Sequence, residues 1–500
     1  MLPFVSSFTI GGDYIKFPIR HQMEFLFSIK TGSFPLYVPG FASGHSVTAL
    51  TLGQPFHTLT WMVSIMPGYW EGRAIEWNNL FKLLSLGLTQ LILYILLRRL
   101  GVDKVLSFAL SFITVYTLRM INLFQYGAAL EAYTGYLILC ALIGLYCVNP
   151  KGVFLPLGIV FTTYLLICSG HPEEMYYGLL AGGIFAIIAP SYVSVLLPDA
   201  RYDLKRGFRF WLMVGFLLSL GVMLSSVYII PFYFEFFKLN IHRVGMDYDT
   251  AILNTDTFIG TINNFFLPLR SHVRSAFGGA SLFLLPMFLP VLRFFNIKIP
   301  RCIWILWAVI VIFFLYMLGN RTPVHRILWE YLPFASAIRL PGRISIIVPF
   351  FIMLLIVWII RSSDINIPIK ESSGRLSPIT IMSIISLMSI ILYYATYILC
   401  YYVLNLPQFL NWFHPYYEGN FLRFGISYEQ VELCLVLLGL LSFVTMILIY
   451  YAKAKKVKGL FGLVLIAVIL LQVGITLRYR SYNWIIDLKN LDIPSFNEMR

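Results

Sequence analysis

Charge is scarce in this 500-residue chain: Asp, Glu, Lys and Arg make up 12% of it, against 59% hydrophobic residues. That is too little to clothe the surfaces of the two to four soluble domains such a length would otherwise suggest. Cysteine is equally sparing. Cys140, Cys147, Cys168, Cys302, Cys400 and Cys434 all fall inside or at the ends of apolar runs, with no C-x-x-C pair among them. They read as small hydrophobes, which leaves out a disulfide framework and a cysteine zinc site. No P-loop, dinucleotide fingerprint, G-x-S-x-G or H-E-x-x-H occurs in a supporting context, which argues against a nucleotide-driven cytosolic reaction. Internal repeats and low-complexity tracts are missing too. Acids are outnumbered 23 to 37 by Lys and Arg, for a net charge of +14. In a soluble chain that excess would invite nucleic acid, but here the positive residues sit in short links between apolar runs, which is a signal of membrane topology.

What the sequence does have is a series of runs long enough to cross about 30 Å of hydrocarbon. They fall near Asn79–Leu97, Val105–Met120, Leu130–Val148, Val153–Ser169, Tyr176–Leu197 and Phe210–Phe234. Six more follow near Ala280–Phe295, Cys302–Leu318, Ile344–Ile360, Leu376–Leu404, Val431–Tyr451 and Leu460–Leu477. The expected fold is therefore all-α, a polytopic transmembrane helix bundle of about 12 spans. A long extracytoplasmic N-terminal loop region, 1–78, precedes the bundle at 79–477, and an extracytoplasmic tail, 478–500, follows it. The opening MLPFVSSFTI has no basic flank and is too short to span, so either the chain begins outside or a preceding helix is missing.

Alternate loops set the orientation. One set is short and basic, holding Arg98, Arg99, Lys104, Lys151, Arg201, Lys205, Arg206, Arg209, Arg293, Lys298, Arg301, Arg361, Lys370, Arg375 and the lysines of KAKKVK. These loops should be cytoplasmic. Both chain ends and the long loops, near 1–77, 235–279, 320–343 and 406–430, then face outward. Most acids go with them, in loops and not in mid-span.

Candidate chemistry gathers on that outer side. The first long loop, GGDYIKFPIR through TGSFPLYVPGFASGH, places Asp13 behind two glycines and ends on His45. A carboxylate at a water boundary, with a backbone free to approach closely, can act as a general base or hold a metal ion. The same loop can equally be a cap over helix ends. SGHPEEMYY places His171, Glu173 and Glu174 at a helix start that Pro172 and the acids favour in any case. NRTPVHRILWEYLPFASAIRLPGRI collects Arg321, His325, Arg326, Arg339 and Arg343 with only Glu330 near in sequence. Unmatched cations there suggest an anionic partner, with Arg343 at headgroup depth to meet a phosphate, or else simple snorkelling. The stretch with Asp247, Asp249 and Asp256, and NWFHPYYEGNF with Trp412, His414, Tyr416 and Tyr417, suit either sugar faces or an interfacial aromatic belt.

Four stretches carry a resemblance: GGDYIKFPIRHQMEFLFSIKTGSFPLYVPGFASG, SGHPEE, FGGASLFLLPMF and IRLPGRI. In this order they are similar to motifs of the YfhO-like bacterial membrane proteins, which look like relatives of the GT-C class of glycosyltransferases. Tyr37, Val38 and Glu173 stand where that family has Trp, Asn and Gln. The resemblance implies a GT-C-like scaffold in the bacterial inner membrane and a polyprenyl-phosphate sugar donor. It makes Asp13 the catalytic acid and Arg343 the lipid-phosphate contact; Arg339 joins Arg343 from the same loop, and His45, His171, Glu173 and Glu174 complete the substrate-binding candidates. The implied acceptor is a hydroxyl on a cell-envelope glycan, lipid or protein. No cofactor is implied beyond a divalent metal ion beside Asp13, which is left open. A transporter or flippase of a lipid-linked saccharide, or a non-catalytic envelope-assembly protein, are the alternatives.

Overall fold

The computed structural model describes residues 20–32, 37–38, 45–46, 54, 56–117, 127–198, 202–238, 247–252, 298–338, 341–364 and 455–481, with isolated positions at 120, 123, 287–293, 385–399 and 434–448. Asp13, Arg339, the FGGASLFLLPMF stretch, the aromatic loop at 411–421 and nearly all of the expected spans at 280–295, 376–404 and 431–451 lie outside the described residues.

The chain is an all-α membrane protein whose helices form one bundle. Two short helices, α1 (Arg20–Lys30) and α2 (Thr58–Ser64), flank a two-residue antiparallel ladder of β1 (Tyr37–Val38) and β2 (His45–Ser46). The main elements follow: α3 (Ala74–Arg99), α4 (Lys104–Val115), α5 (Gly127–Val148), α6 (Phe154–Ile167), α7 (Pro172–Leu196), α8 (Leu204–Leu224), α9 (Ser226–Lys238), α10 (Arg301–Met317), α11 (Pro323–Tyr331), α12 (Val348–Asp364) and α13 (Lys455–Ser481). Among the described residues, five stretches are long and apolar enough to cross a membrane: α3, α5, α7, α8 and the run Pro341–Arg361 that contains α12.

Local chemistry fixes the helix ends. Asp103 accepts from the Val105 N–H at 2.9 Å and Asp203 from the Arg206 N–H at 2.7 Å, satisfying donors that a first turn leaves open. Pro172 starts α7, where its missing N–H costs nothing, as SGHPEE predicts and four residues before the apolar run at Tyr176. The expected span at Phe210–Phe234 is two helices. Ser225 breaks it, its hydroxyl donating back to the Gly221 carbonyl at 2.8 Å.

α5 is the central post. In its apolar stretch 89% of residues are buried, as in Pro341–Arg361, whereas α8 buries only 28% and turns Phe208, Leu212, Phe216 and Met223 outward. α5 packs against α3, α6 and α7, and close approach between α5 and α7 depends on glycine: a Cβ on Gly178 would lie 2.8 Å from the Tyr136 Cβ. Two tyrosine hydroxyls then tie the chain at 346–354 to this pair. Tyr136 donates to the Ile346 carbonyl at 2.6 Å and Tyr192 to the Leu354 carbonyl at 2.7 Å.

The N-terminal segment closes over one end of the bundle. Met23, Phe25, Leu26, Val63 and Tyr69 form a small core with Ala74 and Ile75 of α3. Phe56 packs with Ile167, Cys168 and Tyr228, and its carbonyl accepts from the Tyr164 hydroxyl at 2.5 Å.

Candidate functional site

The chain leaves α6 at Ile167 and enters α7 at Pro172 through a tight turn in which Gly170 has a φ of 84°, a left-handed conformation that favours glycine. His171 is the last residue before the helix. Glu173 and Glu174 sit in its first turn, where the positive end of the helix dipole favours carboxylates. Both are buried, Glu174 almost completely. A buried carboxylate needs a cation or several donors. Glu174 lies against the His171 Nδ1, and Glu173 forms an ion pair with Arg343, which lies 170 residues further along the chain. The Arg343 Nη1 also lies 3.9 Å from the Glu174 carboxylate.

Arg343 is carried by a 3-10 turn, Pro341–Ile346, that ends at the carbonyl held by Tyr136. Its side chain is 17% exposed, its Nε is buried without a hydrogen-bond partner, and the neighbouring Ser345 hydroxyl is in the same condition. This corrects the expectation that the arginines here lack matching acids. Glu173 and Glu174 match Arg343 from a distant part of the sequence, and Arg326 pairs with Glu330 at 2.9 Å on the exposed face of α11. The guanidinium is thus held in place by carboxylates and retains unused N–H capacity.

A ring of aromatic hydroxyls backs the cluster. The Tyr177 hydroxyl lies 3.4 Å from that of Tyr316, and Tyr176 donates to the Pro333 carbonyl at 2.9 Å. His325, fully buried on the inner face of α11, meets the Tyr248 hydroxyl through Nδ1 at 3.3 Å and stacks near Tyr316. Burial lowers its pKa to about 4, so the imidazole is neutral at physiological pH.

Of the sequence-derived candidates, the structure brings together His171, Glu173, Glu174 and Arg343. His45 enters only as backbone, paired with Val38 in the ladder. Among the described residues no three or more His, Cys, Asp and Glu side chains converge as metal ligands.

Sequence reasoning missed two features. Glu131 lies inside α5, where the Ser85 hydroxyl reaches its carboxylate at 3.4 Å, and it interacts electrostatically with Lys82 of α3. Both are buried. Glu131 is thus an exception to the expectation that most acids lie in loops, standing near the start of α5. Opposite charges inside two neighbouring apolar runs, NNLFKLL and LEAYTGY, were the available signal. The second is Gln54 and His57, buried beside the end of α6. The signal was a G-Q-P-F-H string with its strong turn chemistry.

No family model matches the chain, and no curated protein matches it. Among solved structures it is similar to the crystal structure of ArnT from Cupriavidus metallidurans bound to undecaprenyl phosphate, at 12% identity over 96% of this chain and 75% of that one, with a TM-score of 0.43. A likeness this distant transfers no activity, substrate or residue role from that protein to this one.

Proposed function

We propose that the chain is a membrane glycosyltransferase that moves a sugar from an extracytoplasmic polyprenyl-phosphate donor to a hydroxyl of a cell-envelope acceptor. The observation that carries this reading is the meeting of SGHPEE and IRLPGRI. These two stretches bear the sequence resemblance to the YfhO-like proteins and the GT-C class, lie 170 residues apart, and form one buried ion-paired cluster. Glu173 and Glu174 hold Arg343, whose remaining N–H groups suit a phosphate. Arg339 and His45 belong to the same reading as further substrate contacts.

In the reaction, the acceptor oxygen attacks the anomeric carbon while Asp13 takes the hydroxyl proton. The bond from that carbon to the phosphate oxygen breaks, and the polyprenyl phosphate leaves with the electron pair. Arg343 neutralises the leaving group. Asp13→Asn tests the assignment, since it keeps the shape and removes the basicity. The variant should reach the membrane at normal levels and lose about 10² to 10⁴ in transfer rate, measured with labelled polyprenyl-phosphate sugar. Full activity of the purified variant would remove Asp13 from the mechanism.

A transporter of a lipid-linked saccharide is the second reading, favoured by one observation: the buried Lys82 and Glu131 inside the helices. Ionisable groups at such depth commonly mark a translocation path. Movement of labelled lipid-linked sugar between leaflets of proteoliposomes, without transfer to any acceptor, would select it.

A further inference from the structure

Gln54 is unusual in three independent respects. Its backbone φ is 52°, in the left-handed region that non-glycine residues rarely adopt, and Pro55 after it restricts the backbone further. The residue is only 7% exposed, and its Nε2 is buried without any hydrogen-bond partner. A strained backbone that holds an unsatisfied carboxamide inside the protein is the signature of a group positioned for something absent. The turn is also firmly seated. The Gln54 carbonyl accepts from the His57 N–H at 3.0 Å, and Phe56, two residues on, is fixed by Tyr164 and by packing against Tyr228.

Phe56 belongs to the apolar cluster that includes Cys168 and Met175, which bracket the 169–171 turn and the first turn of α7. In the former the Ser169 hydroxyl is buried and unpartnered as well. The end of the bundle that carries the charged cluster therefore carries two neutral, unused hydrogen-bonding groups, a carboxamide and a hydroxyl. Neutral donors and acceptors of this kind suit an uncharged polyhydroxylated ligand, whereas a phosphate calls for a guanidinium.

We propose that Gln54, assisted by Ser169, is a specificity-determining residue that hydrogen-bonds hydroxyl groups of the sugar moiety, distinct from the Arg343 contact to phosphate. This rests on the glycosyltransferase reading above. The two can be separated with full-length protein in nanodiscs. Bare undecaprenyl phosphate reports the phosphate contact, and undecaprenyl phosphate carrying glucose, mannose or N-acetylglucosamine reports the additional contribution of the sugar.

Gln54→Gly removes the carboxamide and relieves the backbone, so its thermal stability should not fall. It should bind bare undecaprenyl phosphate as the parent does and lose roughly fivefold to tenfold of the extra affinity that the sugar confers, the value of one or two neutral hydrogen bonds. Gln54→Asn keeps a carboxamide, tolerates the left-handed backbone and should fall between the two. Arg343→Ala should show the converse pattern, weakening the bare and the sugar-bearing lipid by the same factor and so keeping the sugar increment. An unchanged sugar increment in Gln54→Gly, or no increment for any of the three sugars in the parent protein, overturns the assignment of Gln54. Failure of the parent to bind bare undecaprenyl phosphate overturns the donor reading itself, whatever Gln54 does.

Discussion

Two buried charge clusters lie at the same depth in neighbouring helices and are built in opposite ways. Tyr136 of α5 touches Gly178 of α7, and further along Leu139 meets Gly182, so the helices run in the same direction. Glu131 and Glu173 each precede the first contact by five residues, which places both carboxylates about 7.5 Å nearer the same end of the bundle. Glu131 faces Lys82, with Ser85 and Thr134 as additional donors. It is one anion, one cation and two hydroxyls from two adjacent helices, with opposite charges matched. The other cluster draws His171, Glu173 and Glu174 from the start of α7 and Arg343 from the 3-10 turn at 341–346, and leaves the Arg343 Nε unused. A matched pair specifies which helices meet; a cluster with spare capacity is able to receive a ligand.

The largest expected effect tests the matched pair. Glu131→Leu removes the acid that faces the buried Lys82 and should cost about 3–5 kcal/mol in stability, read as a lowered thermal midpoint in detergent. Adding Lys82→Met should restore most of the loss, because replacing both charges with apolar groups of similar size is often neutral. If the double variant folds normally and still transfers sugar, the pair is structural; if it folds and is inactive, the translocation reading gains.

The ligand-receiving cluster is tested next through its flank. His325 is held neutral by burial, its pKa lowered from 6.5 to about 4. As pH falls below 6.5 the unfolded chain takes up a proton that the folded chain refuses, so stability should fall through the window from 6.5 to about 4 and level off below it. At about 1.4 kcal/mol per unit the loss approaches roughly 3 kcal/mol. His57, buried and also lowered to about 4, adds a parallel contribution. His325→Phe, which keeps an aromatic ring between Tyr248 and Tyr316, should flatten the acid limb of the stability curve. An unchanged limb would assign the whole effect elsewhere.

The smallest effect sharpens the functional side of the comparison. Arg343→Ala should reduce use of a polyprenyl-phosphate sugar by about tenfold to a hundredfold, the value of roughly 1.5–3 kcal/mol for a hydrogen bond to an ionised group. Arg326→Ala, which removes an exposed pair with Glu330 and a surface contact over the Tyr248 ring, should be close to neutral. Equal small effects would leave Arg343 as the counter-charge of Glu173 and Glu174 alone.

Much of the fold was legible because helices are written locally. The apolar runs located α3, α5, α7, α10 and α12, and Pro172 with its two glutamates announced a helix start. The errors have local causes as well. The helix break at Ser225 falls inside a continuous apolar run, which an apolar count across Phe210–Phe234 does not register. The site was half legible. Its two stretches could be picked out, but the pairing of Glu173 with Arg343 depends on how five helices pack, and so Arg343 looked unmatched. Glu131 was hidden for a different reason. One charge does not spoil the average hydropathy of a long run, and only its partner on another helix gives it meaning.

The two tyrosine hydroxyls bound to the Ile346 and Leu354 carbonyls have a mechanical consequence. A rod clamped at two points can neither slide along its length nor spin about its axis; it can only rock about the line joining the clamps. The clamped positions are eight residues apart, about 12 Å along a helix, so the 3-10 turn bearing Arg343 emerges from a segment with almost no freedom of its own. The guanidinium at this end is therefore a stationary reference, and a ligand that reaches it meets a partner already in place.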